Sequence, residues 1–421
     1  MIVKSTIKIA VVFLIAVFVL IPGVVYSADW LSVNAYYKSF FTAYHQHEIE
    51  SNILILDPTD FGAVSNRIRL DISANLNRNL ILSTSYNFIP QIQDKLFSQT
   101  NLIPVGLNQF KYRFDDIDSR LYPSPHNKAG SFTIMQNLDR ASLIIKTSPA
   151  DIIIGRQPIA WGMAHVINPT DIIAPYAYEE LDIEDRVGVD GVRLRAPLGF
   201  MGEMDAGIVF GEDFKDENNA MFFRLKYYCS KTDFSIILLK FRDNHMAGFN
   251  MARSIWGAGF WLEAAEVFIE NENEKNFLRL STGMDYSFSG RLYGFFEYHF
   301  NGAGFDEPRR YLNAACKTAY TQGSVYLLGK HYLIPGIVYQ VTPLISVSAD
   351  ALTNLLDPSA YISMKGEYNV ADDVYISAGM FIGVGERPEI SNNNNFIPTL
   401  KLNSEFGAYP DMFFTSLKVY F

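Results

Sequence analysis

The chain has 421 residues, with 35 Lys and Arg against 45 Asp and Glu, and a formal net charge of −10. That balance excludes a generally basic nucleic-acid-binding surface, so no nucleic-acid partner is expected. With 49 % hydrophobic, 14 % aromatic and 19 % charged residues, it is aromatic-rich and poor in charge for a soluble protein; its two cysteines, Cys229 and Cys316, are too few for a disulfide framework.

Residues 1–27 read as a secretory signal peptide. Lys4 and Lys8 precede an apolar run from Ile9 to Leu20, then Pro22 and Gly23, with small residues at Ser27 and Ala28. The alternative is a signal anchor retained as a membrane helix. After Ala28 no apolar run approaches the ~18–20 residues that a membrane helix needs. Residues 28–421 read instead as one domain whose repeating unit is the strand. Runs of roughly 10 residues alternate apolar and polar, which is the grammar of a transmembrane β-barrel. In Asn66 to Asn75, Ile68, Leu70, Ile72 and Ala74 face one way, and Arg67, Arg69, Asp71 and Ser73 the other.

About 18 such segments begin near residues 30, 64, 79, 138, 151, 188, 202, 220, 232, 245, 257, 276, 290, 325, 343, 359, 372 and 412, with 16 as the other allowed count. The connections alternate in length. Residues 75–79, 147–151, 198–202, 230–233, 287–290 and 369–373 are short; 46–64, 91–137, 161–187, 301–323 and 385–411 are long. Outer-membrane barrels put short turns on the periplasmic side and long loops outside, so both termini are expected to be periplasmic.

Taking the polar face of each strand as inward puts Lys38, Arg67, Arg69, Arg140, Lys146, Arg156, Arg193, Arg195, Arg224 and Lys226 along the lumen, against Asp71, Glu203 and Asp205. Such a wall favours anions. The alternative for each arginine is a structural pair with a carboxylate that solvates the wall. The acidic surplus falls in loop segments, chiefly Glu179 to Asp185, which lacks the Asp-x-Asp-x-Asp-Gly order of a calcium loop and reads as a solvated charge run.

Three elements go beyond barrel grammar: Gly155-Arg156-Gln157, Trp161-Gly162 and Asp190-Gly191-Val192-Arg193-Leu194. Together they resemble a motif set shared by porin-like outer-membrane families, the alginate-export family among them. The resemblance implies that Arg156, Arg193 and Arg195 sit on adjacent strands of a pore wall. It also implies that the loop from Trp161 to Val187 folds in as a constriction, with Trp161, Asn168 and Asp171 its candidate residues. Asn168-Pro169-Thr170-Asp171 and the acidic Glu179 to Asp185 insert depart from the alginate-export pattern. An outward loop capped by a buried Trp161 is the alternative.

No histidine stands in a Gly-x-Ser-x-Gly or His-Glu-x-x-His context, and His45 and His47 share a strand face without an evident third ligand. No enzyme, cofactor or metal site is therefore expected. The tail from Phe413 to Phe421 puts Phe413, Thr415, Leu417, Val419 and Phe421 on one face. It resembles the insertion signal of Gram-negative outer-membrane barrels. The expectation is an all-β, antiparallel, up-and-down transmembrane barrel in the outer membrane. It would be a porin or channel for polar or anionic solutes, an anionic polysaccharide included. The alternative function is a barrel-anchored surface interaction module with a loop-occluded lumen. Implied partners are outer-membrane lipid and lipopolysaccharide, the barrel-assembly machinery through the last strand, and the solute.

Overall fold

The computed structural model describes residues 30–48, 50–51, 59–95, 112–114, 116–391 and 399–421. The expected leader, residues 1–27, lies outside them. The described residues form a closed antiparallel barrel of 18 strands. In chain order these are β1 (Leu31–Gln46), β2 (Thr59–Asn77), β3 (Leu80–Gln93), β4 (Phe132–Lys146), β5 (Asp151–Pro158) and β6 (Gly188–Leu198). Then come β7 (Gly202–Phe210), β8 (Ala220–Cys229), β9 (Thr232–Phe241), β10 (Asn244–Ile255), β11 (Ala258–Phe268) and β12 (Phe277–Ser287). The last are β13 (Leu292–Asn301), β14 (His331–Thr342), β15 (Ile345–Asn354), β16 (Ser359–Ala371), β17 (Val374–Val384) and β18 (Asp411–Tyr420).

Each strand pairs with its sequence neighbours. The barrel closes where β1 meets β18, in a register running from Tyr36↔Tyr420 to His45↔Asp411. Closure matters because an open edge in a bilayer would leave backbone groups without partners. A short flap, Arg120–Tyr122, pairs onto β4.

At the end where β1 begins and β18 finishes, all connections are tight. Ser230 and Lys231 (φ 50° and 63°) turn β8 into β9, and Trp256 and Gly257 (φ 52° and 85°) turn β10 into β11. Two consecutive positive φ values match the twist of a two-residue hairpin. The other end carries 94–131, 159–187, 302–330 and 385–410, but also the short links 242–243 and 355–358. Length therefore alternates at most connections rather than all.

The outer face carries exposed and half-exposed apolar side chains in cross-strand rows. Ile154, Val192 and Ile208 form one; Met364, Met380 and Phe413 another. Such a belt suits lipid. Among the described residues no helix is long and apolar enough to cross a membrane.

Three boundaries depart from the alternation. β2 begins at Thr59, not near 64, because its pairing with β1 runs on to Gln46↔Thr59. β4 begins at Phe132, not near 138, because pairing with β3 and the flap extends it across Ile134-Met135, where two adjacent apolar residues break the period. β14 begins at His331, not near 325. Val325, Tyr326, Leu327 and Leu328 are all buried in a loop folded within the barrel, where an apolar run needs no strand.

Candidate functional site: a loop folded into the barrel

Between β5 and β6, residues 159–187 leave the rim and run down inside the wall. The first half is a tight turn organised on carboxylates. The Trp161 and Gly162 N–H groups donate to Asp171 Oδ1 at 2.7 and 2.8 Å. Asp171 is buried, which raises its carboxyl pKa; the ion pair from Arg186 Nη2 at 3.0 Å and the two amide donors act the other way. Asn168 packs on Gly162, where any Cβ would lie 2.2 Å from its Oδ1.

This turn docks on two wall glutamates. The Met163 and Ala164 N–H groups donate to Glu263 Oε2 on β11 at 2.7 and 3.1 Å. Thr170 gives Glu263 Oε1 both its N–H, at 2.8 Å, and its hydroxyl, at 2.7 Å. The His165, Val166 and Ile167 N–H groups donate to Glu297 on β13 at 2.9, 3.3 and 2.9 Å. Both glutamates are fully buried, and converging backbone amides are what make a buried carboxylate tolerable. The His165 ring stacks on Trp261 with centroids 4.0 Å apart. The Trp161 indole N–H donates to Asp205 on β7 at 3.1 Å.

The second half reaches the seam between β1 and β18 with the opposite polarity. Here the loop supplies the carboxylates. Lys38 Nζ lies 3.0 Å from Asp182 and 2.6 Å from Glu184, and Arg67 Nη1 lies 2.7 Å from Asp182. Lys418 pairs with Glu184, and the Tyr420 hydroxyl donates to it at 2.6 Å. Tyr36 donates to Asp185 at 2.6 Å, with Arg69 Nη2 3.6 Å away. Burial acts to raise the Glu184 carboxyl pKa, but the bonds from Lys38, Lys418 and Tyr420 outweigh it and hold the carboxyl down at about 2. Further back, the Tyr178 hydroxyl donates to Asp350 on β15. The run Glu179 to Asp185 is thus not a purely solvated stretch, since Asp182, Glu184 and Asp185 are each tied to wall side chains.

The remaining wall cations also have carboxylate neighbours. Arg69 lies 2.8 Å from Asp71 and 2.7 Å from Asp139; Arg140 lies 2.6 Å from Asp139. Arg156 forms a two-pronged pair with Asp190, at 2.7 and 2.9 Å, and meets Asp116 at 2.7 Å. Arg193 forks onto Asp205 at 2.8 and 2.6 Å. Glu203 is shared by Arg195 and Arg224, and Lys226 lies 3.2 Å from Asp233. Lys146 is exposed beside the 147–150 turn.

The three arginines read as one stripe fall into two groups. Arg156 is opposite Asp190 in the ladder, whereas Arg193 and Arg195 are opposite Ile153 and Asp151. Arg156 is therefore out of phase with the other two. Gly155, just before it, has φ 110°, and a Cβ there would lie 2.2 Å from the Ala141 carbonyl oxygen. Simple alternation could not register either fact.

On the far side of the interior the contacts are apolar. The loop 302–330 carries a 3-10 helix, Pro308–Cys316, and a short α-helix, Thr318–Thr321. Its Phe305, Tyr311 and Tyr320 pack in one buried cluster with Trp161, Ile172, Phe222 and Ile237. The Ser324 hydroxyl donates to the Ile172 carbonyl at 2.8 Å, joining the two inward loops. Sequence reasoning gave 301–323 as a long connection but missed that it folds inward, and missed Glu263. The available signals were a lone acid on the face shared by Trp261, Ala265 and Val267, and an apolar run too close to Pro308 and Gly323 to be a free strand. Among the described residues no group of three or more His, Cys, Asp or Glu is placed to hold a metal.

No protein-family model matches the chain, and no curated protein matches it significantly. The fold does match solved structures. OccAB4 of Acinetobacter baumannii superimposes with TM-score 0.53 at 9 % identity, over 92 % of this chain and 98 % of that one. OpdK of Pseudomonas aeruginosa, solved with vanillate, gives 0.53 at 8 %, over 92 % and 98 %. The outer membrane protein OprD of the same organism gives 0.54 at 8 %, over 92 % and 93 %. The chain therefore has the 18-strand barrel fold of these proteins.

Proposed function

We propose that this protein is an outer-membrane channel for small polar or anionic solutes, with the 159–187 loop as its constriction. The observation that carries the reading is that loop. It crosses the interior of a wide barrel, docks on β11 and β13, and lies against the cations of β1, β2 and β18. A barrel of this strand number is wide enough for water unless loops narrow it. The solute path then follows Arg67, Arg140, Arg193, Arg195, Arg224 and Lys226; each is paired with a carboxylate, so a solute anion is drawn by competing with that carboxylate for the side chain. Two inward loops joined through an apolar cluster narrow the interior, which favours a small solute over a polysaccharide. The shared fold with OprD, OpdK and OccAB4 supports an outer-membrane location and a transport rather than an enzymatic role.

Liposome swelling tests this. Proteoliposomes should swell faster in isosmotic solutions of small monocarboxylates than in amines of equal size. Equal rates for both charges would remove the anion preference. The packed interior also favours a second reading, an anchored surface module with a closed lumen. No swelling with any small solute, beside a conducting control porin, would support that one.

Orientation is tested separately. Single cysteines at Asn218 or Asn273, in a background lacking Cys229 and Cys316, should take up impermeant label on intact cells. Label at Ser148 or Asp372 alone would invert the topology.

A further inference from the structure

Away from the 159–187 loop, the connections 269–276 and 302–330 enclose a cavity of about 420 Å³ at the loop-bearing end. Lys275, Arg310, Lys317 and Lys330 line it, against two carboxylates, Glu274 and Asp306. Both acids are already engaged. Glu274 accepts the Thr318 N–H at 3.0 Å and the Thr318 hydroxyl at 2.7 Å, and Asp306 lies 2.7 Å from Lys330 Nζ. The Lys317 ammonium has only the Ala303 carbonyl, at 2.8 Å, and the face of Phe305, 4.0 Å from the ring centroid. Arg310 stands over the same ring at 5.6 Å. Neither the Arg310 guanidinium nor the Lys275 ammonium has an ion-pair partner among the described residues.

Crowded like charges oppose one another unless an anion joins them. Burial and the neighbouring Arg310 push the Lys317 ammonium pKa down, against the pull of Glu274, and Lys330 adds to the push. Four cations on two occupied carboxylates leave a surplus that a dianion would balance. A monocarboxylate would leave part of it uncompensated. A phosphate monoester is a dianion near neutral pH with three acceptor oxygens to share among several donors. Phe305 is buried beneath Lys317 and Arg310 and sets the position of both cations at the cavity wall.

We infer that this cavity is a binding site for a phosphate monoester, held by Arg310 and Lys317 with Lys275 and Lys330 at its margin. Its position at the rim admits two sources of the same chemistry: the phosphorylated sugars of outer-leaflet lipopolysaccharide, or a free phosphate monoester.

The test uses the full-length protein purified in detergent. Binding is measured for glucose 6-phosphate against glucose, and for lipopolysaccharide against phosphatase-treated lipopolysaccharide. At least one phosphorylated probe should bind more tightly than its dephosphorylated counterpart. The Arg310→Gln/Lys317→Gln double variant should weaken that binding by about tenfold or more, as expected for losing charge-assisted hydrogen bonds. Binding of lipopolysaccharide alone assigns the lipid source; binding of glucose 6-phosphate assigns the free solute. If neither phosphorylated probe is preferred, or if the double variant binds unchanged, the site does not exist. Should the double variant lose its heat-modifiable migration, Lys275→Gln replaces it. That residue is exposed and has no ion-pair partner among the described residues, so unchanged affinity there would equally count against the site.

Discussion

The two halves of the 159–187 loop grip the barrel with opposite polarity. From Trp161 to Asp171 the wall supplies the carboxylates, Glu263 and Glu297, and the loop supplies backbone N–H groups. From Asp182 to Asp185 the loop supplies the carboxylates, and the wall supplies Lys38, Arg67, Arg69 and Lys418. Backbone amides cannot swing away without unfolding the turn, so the first contact is a fixed frame. Lys38 and Arg69 are buried, but the Arg67 side chain is about 30 % exposed and can rotate, so a passing anion can compete for it. Glu184 is about 40 % exposed, whereas Glu263 is fully buried. On the proposed function, one half would set the size of the opening and the other its charge.

The largest effect that could break this contrast is removal of a framing carboxylate. Glu263→Ala would leave the Met163, Ala164 and Thr170 donors without their acceptor in a buried place, at a cost of about 3 kcal/mol or more. Heat-modifiable migration should shift to lower temperature, and liposome swelling should lose size discrimination. Unchanged values for both would mean that the loop is held by its apolar contacts instead.

A smaller effect is expected from the charged half. Lys38→Gln removes the partner shared by Asp182 and Glu184, but Arg67 and Lys418 remain, so a loss of about 1–3 kcal/mol in local stability is expected. Swelling rates for anions should change while the size cut-off stays put. A shifted cut-off would show that the two halves are not separable.

Salt sharpens the same division. The screening length falls from about 10 Å at 0.1 M to about 3 Å at 1 M. Raising salt across that range should diminish the preference for anions and leave the Glu263 and Glu297 frame intact. Susceptibility of the segment near Arg186 to added protease, measured at both concentrations, would separate screening from loop release.

The smallest effect concerns pH. Because the Glu184 carboxyl is held down at about 2 by Lys38, Lys418 and Tyr420, its contribution is fully present above the ordinary carboxylate range near 4.5 and is lost as pH falls through about 2. Anion preference should thus be flat from about pH 8 to 5 and change only below about pH 4, as the carboxylate takes up its proton. A transition near neutrality would assign the charged half to another group.

Much of the barrel was legible because its rules are local. Period-2 alternation, tight turns and a terminal aromatic strand each report on a few adjacent residues, and strands such as Gly202–Phe210 and Ser359–Ala371 begin where the alternation puts them. The inward loops were less legible. Val325 to Leu328 has the composition of a strand, yet its burial comes from packing on residues distant in the chain. Likewise, Glu179 to Asp185 reads as solvated until Lys38 and Lys418 are brought to it from the two ends of the sequence. The wall arginines show the same limit: parity places a side chain on a face, but Gly155 lies between Arg156 and Ile153, and no pattern in the sequence announces that φ.

The most direct test is single-channel recording of the purified wild-type protein in planar lipid bilayers under a salt gradient. A narrow channel with an anion-favouring wall gives discrete conductance steps and a reversal potential displaced toward the anion equilibrium value, the displacement shrinking at 1 M salt. A cation-ward reversal potential, or no steps where a control porin conducts, would contradict it.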